Sequence, residues 1–149
     1  MQNLFLFFDE AAIEMAKNGS LDHLWLFLPI GYVTTILIET PVLLLGLPPK
    51  LSLKQKLLCG VWLTACTYPV VVLVLPAMFG DYSNSPYYLP VAETFAPLGE
   101  CLFFWLAFRA RNILEANDWI RAFIAIVLAN LASFGIGEII NHYRWFGLF

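Results

Sequence analysis

Charge is scarce in this chain. Of its 149 residues eight are Lys or Arg and eleven are Asp or Glu, so charged side chains make up 13% of the whole. A soluble domain carries about a quarter, and this one could not clothe a globular surface in water-compatible groups. Basic residues are few and scattered, and the net charge is −3. This excludes the electrostatic footprint of a nucleic-acid partner. With two histidines, no HExxH and no GxSxG, neither a zincin-type metal pair nor a nucleophile with its base can be assembled. An enzyme is therefore the less expected reading. Its one remaining route is acid–base work by carboxyls on a lipid or quinone, without a nucleophile or metal triad. The three cysteines, Cys59, Cys66 and Cys101, form no CxxC and lie in apolar stretches, where a thiol behaves as a small buried hydrophobe. No basic region precedes the apolar run that begins at Leu4, so no cleaved secretory signal is expected.

What fills the chain instead is apolar: 60% of all residues are hydrophobic and 16% of all residues are aromatic, with a mean hydropathy of +0.75. A lipid bilayer is the expected partner. At roughly 20 apolar residues per crossing the length allows one domain of four spanning helices. The candidates are 24–47, stopped by Pro48-Pro49; 57–79, without a charge; 89–108, containing Glu93 and Glu100; and 119–140, containing Asn130 and Glu138. Residues 4–18 are too short and acidic to span, and their helical spacing suits an interfacial amphipathic helix. The expected fold class is thus an all-α integral membrane protein, a four-transmembrane-helix bundle.

Orientation follows the basic residues of short loops. Lys50, Lys54, Lys56, Arg109, Arg111 and Arg121, six of the eight, fall between the first and second or the third and fourth helices. Loops 48–56 and 109–118 are expected to be cytoplasmic, both termini extracytoplasmic, and a bacterial inner membrane the location. Trp25, Tyr82, Tyr87, Tyr88, Tyr143 and Trp145 would form the outer aromatic belt.

The chain also matches itself. A shift of 61 places Glu39 on Glu100, Gly46 on Ala107 and Lys50 on Arg111 without a gap, and a shift of 66 places Thr64, Thr67 and Pro69 on Asn130, Ser133 and Gly135. Two parallel helical-hairpin repeats, 22–80 and 84–147, are expected, related by a pseudo-two-fold along the membrane normal.

Acidic residues near helix centres cost about 2.5–3.5 kcal/mol each on insertion scales, and no Lys or Arg matches Glu39 and Glu100 in depth. These carboxyls must be neutral acids, hydrogen-bonded to Tyr32, Thr34, Thr35, Thr64, Thr67, Asn130 or Ser133, exposed to water, or holding a cation. Glu93 and Glu100, seven apart, project about 20° from one another on one helix. Pro41, Pro69 and Pro97 free the carbonyls of Leu37, Ala65 and Glu93, which are candidate oxygen ligands. Ala125, Ala129, Ser133 and Gly137 make a small-residue ridge for close helix approach. Glu138 and His142, spaced i,i+4, are a weak metal pair.

A glutamate in the first helix of a short four-helix membrane protein resembles small multidrug-resistance transporters in architecture. Those are shorter antiparallel dimers without a second glutamate on helix three, and none of their residues is carried over. The leading expectation is a protein that binds and translocates a proton or small cation through Glu39 and Glu100, with Thr67, Asn130 and Ser133 as neutral ligands and Glu93 and Glu138 as an outer vestibule. No cofactor is expected beyond a possible bound cation. The alternative is a non-catalytic subunit or assembly factor of a larger membrane complex, its glutamates bonded to a partner, lipid or pigment. A homo-oligomer or larger membrane complex is the expected assembly.

Overall fold

The computed structural model describes residues 21–75, 78 and 87–142. The interfacial helix expected over 4–18 lies outside them, as do Tyr82, Tyr143 and Trp145. Among the described residues the structure is all helical: α1, Leu21–Gly46; α2, Leu53–Pro69, continued by a π-helical turn Val70–Val74; α3, Tyr88–Phe108, ending in a 3₁₀ turn Arg109–Arg111; and α4, Ala116–His142. Among the described residues four stretches are long and apolar enough to cross a membrane: Leu28–Gly46, Leu53–Val74, Pro90–Arg111 and Ala116–Gly137.

Local chemistry sets the helix ends. α2 starts four residues before the apolar run because Ser52 and Gln55 form a capping box, the Gln55 N–H donating to Ser52 Oγ and the Ser52 N–H to Gln55 Oε1, which satisfies two otherwise orphaned donors. α4 likewise starts before Trp119, where the Glu115 N–H donates to Asp118 Oδ2. α3 stops at Asn112, whose φ of 49° lies in the left-handed region that asparagine tolerates better than most side chains. In α2, Pro69 has no N–H to donate, and the Val70–Val72 run is stiff at χ1. The chain absorbs this mismatch as the π turn, in which the Leu75 N–H reaches Val70 O.

The helices form a ring in chain order, each packed on its sequence neighbour, with α4 closing back onto α1. Small residues permit the close approaches. A Cβ at Gly46 would come within 2.6 Å of Ala125 Cβ, and one at Gly60 would collide with the Thr40 hydroxyl. The ridge on α4 therefore faces inward, with Ala125 and Ala129 buried. Toward the α1–α2 and α3–α4 connections the core contains Leu43, Leu47, Cys59, Leu63, Phe104, Phe108 and Ile126; a smaller cluster of Val71, Leu75, Tyr88 and Ala92 fills the other end. The outward faces carry large apolar side chains such as Leu37, Leu45, Leu58, Leu98, Ile124 and Leu131, as a lipid-facing surface requires. Tyr87 is 72% exposed and available to a belt, whereas Tyr88 is only 3% exposed. The expected belt position of Tyr88 is wrong: it turns into the core, and its hydroxyl donates to Val71 O in the π turn.

Candidate functional site

Between the two apolar clusters lies a polar layer. Glu39 sits one turn before Leu43 on α1, Glu100 one turn before Phe104 on α3, and Thr67 between Leu63 and Val71 on α2. Glu39 is 2% exposed and Glu100 1%, so neither carboxyl is solvated. A buried polar group without partners costs several times what a satisfied one does, and the neighbouring helices supply those partners.

Each of the four carboxyl oxygens has one. Glu39 Oε2 lies 2.8 Å from Thr64 Oγ1 on α2, and its Oε1 lies 2.8 Å from Ser133 Oγ on α4. Glu100 Oε1 lies 3.0 Å from Thr67 Oγ1 on α2, and the Asn130 amide on α4 donates to Oε2 at 2.9 Å. The glutamates belong to α1 and α3, which do not adjoin in the ring, and their partners to the two helices between them. Four bonds thus join all four helices at one level.

The partners also touch backbone carbonyls of their own helices. Thr64 Oγ1 is 2.9 Å from Gly60 O, Thr67 Oγ1 3.3 Å from Leu63 O and Ser133 Oγ 2.9 Å from Asn130 O; the second hydrogen of the Asn130 amide goes to Ile126 O at 3.1 Å. Since that carbonyl can only accept, it fixes which face of the Asn130 amide meets Glu100.

Other sequence candidates are placed differently. Tyr32 donates to Val61 O and Thr34 to Ile30 O, away from the carboxyls. Glu93 is half-buried two turns from Glu100 along α3 and makes none of the four bonds. Leu37 and Ala65, whose carbonyls are freed by Pro41 and Pro69, lie on exposed faces of α1 and α2, opposite the buried Glu39 and Thr67. Glu138 and His142 both fall on α4, and their side chains lie outside the described residues. Among the described residues no group of three His, Cys, Asp or Glu is placed to hold a metal.

A second constellation closes the connection end. Lys56 Nζ donates to Leu44 O at 3.1 Å and Leu47 O at 2.8 Å, while Arg121 donates from Nε to Gly46 O at 2.8 Å and from Nη2 to Leu45 O at 3.3 Å. The last carbonyls of α1, which have no intrahelical partner, are thereby met by cations, the charge that suits a helix C-terminus. Lys50 Nζ, 2.7 Å from Glu115 and 2.8 Å from Asp118, ties the α1–α2 connection to the α3–α4 connection. These two carboxylates hold the Lys50 ammonium above its usual range. In the sequence these cations serve only as markers of orientation. The one legible signal for capping was a basic residue within a turn or two of a helix boundary.

The fold and the polar layer define a four-helix membrane-type bundle built around a buried, hydrogen-bonded pair of carboxyls. Comparison of the chain with protein-family models, curated proteins and solved structures gives no match.

Proposed function

We propose that this is a multi-pass membrane protein that binds and moves a proton or small cation by way of Glu39 and Glu100, seated in the bilayer with its α1–α2 and α3–α4 connections on the cytoplasmic side of a bacterial inner membrane. The observation that carries the reading is the burial of two carboxyls at one level of the bundle with neutral partners alone: Thr64, Thr67, Asn130 and Ser133. Ionisable groups inside a membrane bundle are costly to keep and mark ion or proton paths by default. Glu93 and Glu138 are assigned to the vestibule on the far side, and a homo-oligomer or a larger complex is its proposed assembly.

An internal duplication is part of the proposal, and the burial pattern supports it. At a shift of 61 the buried Gly31, Glu39, Leu43 and Leu47 of α1 fall on the buried Ala92, Glu100, Phe104 and Phe108 of α3; at a shift of 66 the buried Cys59, Gly60 and Leu63 of α2 fall on the buried Ala125, Ile126 and Ala129 of α4. The hydrogen bonds obey the same exchange. Glu39 to Thr64, within the first hairpin, corresponds to Glu100 to Asn130 within the second, and Glu39 to Ser133 corresponds to Glu100 to Thr67. A midplane site at a repeat interface is where transporters bind their substrates.

The competing reading, glutamates that bond a partner subunit, gains little here because all four carboxyl oxygens are engaged within the chain. Reconstitution decides between them. In proteoliposomes loaded with a pH-sensitive dye and assayed across candidate cations, the wild-type protein should support flux, and Glu39→Gln and Glu100→Gln should each abolish it while leaving the protein folded and extractable. A wild-type protein that moves nothing, or variants that move as much, would defeat the proposal.

A further inference from the structure

The count of hydrogens around the carboxyls says more than their burial. Each of the hydroxyls of Thr64, Thr67 and Ser133 carries one hydrogen, yet each lies within hydrogen-bonding distance of two oxygens, one of a glutamate and one of a helix carbonyl. A carbonyl cannot donate. If a hydroxyl gives its hydrogen to the carbonyl, the contact with the carboxyl is satisfied only when the carboxyl itself donates. For a protonated Glu100 one arrangement serves: Oε2 accepts from Asn130, whose amide is oriented by Ile126 O, so the proton sits on Oε1, donated to Thr67 Oγ1, which donates onward to Leu63 O. Around Glu39 two arrangements serve equally. Its proton can sit on Oε2, passing through Thr64 to Gly60 O, or on Oε1, passing through Ser133 to the carbonyl of Asn130.

The surroundings point the same way. The groups bonded to the pair from α2 and α4 are neutral, the nearby thiols of Cys66 and Cys101 carry no positive charge, and the ion pairs among the described residues join Lys50 to Glu115 and Asp118 at the connection end. A carboxylate buried without a counter-charge favours its protonated form. A metal cation, by contrast, needs converging oxygen lone pairs, whereas the Asn130 amide turns N–H, not oxygen, toward Glu100.

We infer that Glu39 and Glu100 are both un-ionised carboxylic acids at neutral pH, that the species this pair takes up is the proton and not a metal cation, and that Glu39 can present its proton to either neighbouring helix while Glu100 presents its own only to Thr67. This deepens the reading of the pair as the functional site and rests on it. It also explains how glutamine could replace either residue without disturbing the fold: a side-chain amide offers one donor nitrogen and one acceptor oxygen, the pattern of a protonated acid.

Infrared difference spectroscopy on the full chain in lipid nanodiscs at pH 7 tests this. The expected spectrum contains the carbonyl stretch of un-ionised carboxylic acids, with one acid lost in Glu39→Gln, one in Glu100→Gln and both in the double variant, and with no change when choline is replaced by sodium, potassium or magnesium. Thr67→Val should move the Glu100 band, and Thr64→Val should move the Glu39 band less, because Ser133 remains as its alternative partner. Should a variant fail to fold, wild-type protein with ¹³C in the glutamate carboxyls shows, without a substitution, whether the acid bands belong to glutamates, and the other single variant assigns one of them. Carboxylate bands in place of acid bands, or acid bands that vanish on adding any of these cations, would overturn the inference. Its failure is distinct from that of the transport proposal. Acid bands in a protein that supports no flux leave the protonation standing and remove the conduit, whereas flux of a metal cation with carboxylate bands does the reverse.

Discussion

Gly60 offers the sharpest test of how the polar layer is held. It lies on α2 one turn before Thr64, and a Cβ there would collide with the Thr40 hydroxyl and approach both Thr40 Cβ and Cγ2 at 3.0 Å; Thr40 follows Glu39. Gly60→Ala must therefore push α1 and α2 apart at the point where Thr64 meets Glu39. Overpacking of this kind typically costs about 1–3 kcal/mol, and loss of the Thr64 bond adds about 0.6 kcal/mol, the average for interhelical hydrogen bonds in membranes. Against this stands a gain of up to about 1 kcal/mol from replacing glycine by alanine in a helix. Gly135 on α4 isolates that gain, because a Cβ there meets nothing within 4 Å. In unfolding titrations of the reconstituted protein Gly135→Ala should be neutral or stabilising, while Gly60→Ala should be destabilised. Thr40→Ala, which removes the colliding hydroxyl and a methyl, should restore part of the loss in the double variant; that hydroxyl has no hydrogen-bond partner among the described residues, so its removal sacrifices none there. If Gly60→Ala is as stable as Gly135→Ala, or Thr40→Ala recovers nothing, the close approach does not fix the spacing of α1 and α2.

Other expectations follow from the same geometry. Glu100→Ala should lower stability by about 2–5 kcal/mol through the cavity and the stranded Asn130 and Thr67 groups, whereas Glu100→Gln should stay close to wild type in the same titration; equal losses would refute the hydrogen-bond account. Lys56→Ala with Arg121→Ala strands the last carbonyls of α1, and backbone amide exchange there should rise while exchange at mid-helix α3 stays unchanged. Because the Lys50 ammonium is held above its ordinary 10.5, its contribution is complete below that pH and disappears as pH climbs through the raised value. Stability should therefore fall above pH 10.5 in the wild type and fall less in Lys50→Met, and parallel pH profiles would refute the bridge. Finally, cysteines introduced at Lys54 and Ser85 should be labelled from opposite sides of the membrane; labelling of both from one side would refute the orientation.

The four helices were legible because hydropathy over 20 residues is a strong, additive signal, and Glu39 and Glu100 stood out because acids are rare at that depth. Of the seven neutral residues expected as hydrogen-bonding candidates, Thr64, Thr67, Asn130 and Ser133 meet the carboxyls. Tyr32 and Thr34 meet backbone carbonyls instead, and one sequence cannot tell these outcomes apart, since each depends on helix rotation. Tyr88 was misplaced for the same reason: its composition suits an interface, but a carbonyl in the π turn after Pro69 accepts its hydroxyl. That Pro41 and Pro69 cannot donate to Leu37 and Ala65 is legible in the sequence, but that these two residues lie on exposed faces is a property of the packed bundle. The Arg121 contact with α1 spans 75 positions, and no local pattern announces it.

That contact bears on how the chain becomes a bundle. A helix inserted early has its C-terminal carbonyls met partly by Lys56, nine and twelve residues downstream, and partly by Arg121, which is synthesised much later. The first hairpin therefore leaves synthesis with part of the α1 terminus still open, and the seam is completed only when α4 arrives. Ser133 reaches Glu39 and Ala125 seats against Gly46 along that same seam. Until then one oxygen of Glu39 lacks its partner. α4 is thus the helix that locks α1, so a chain cut before α4 would leave Glu39 with an unfinished carboxyl and α1 with an open edge.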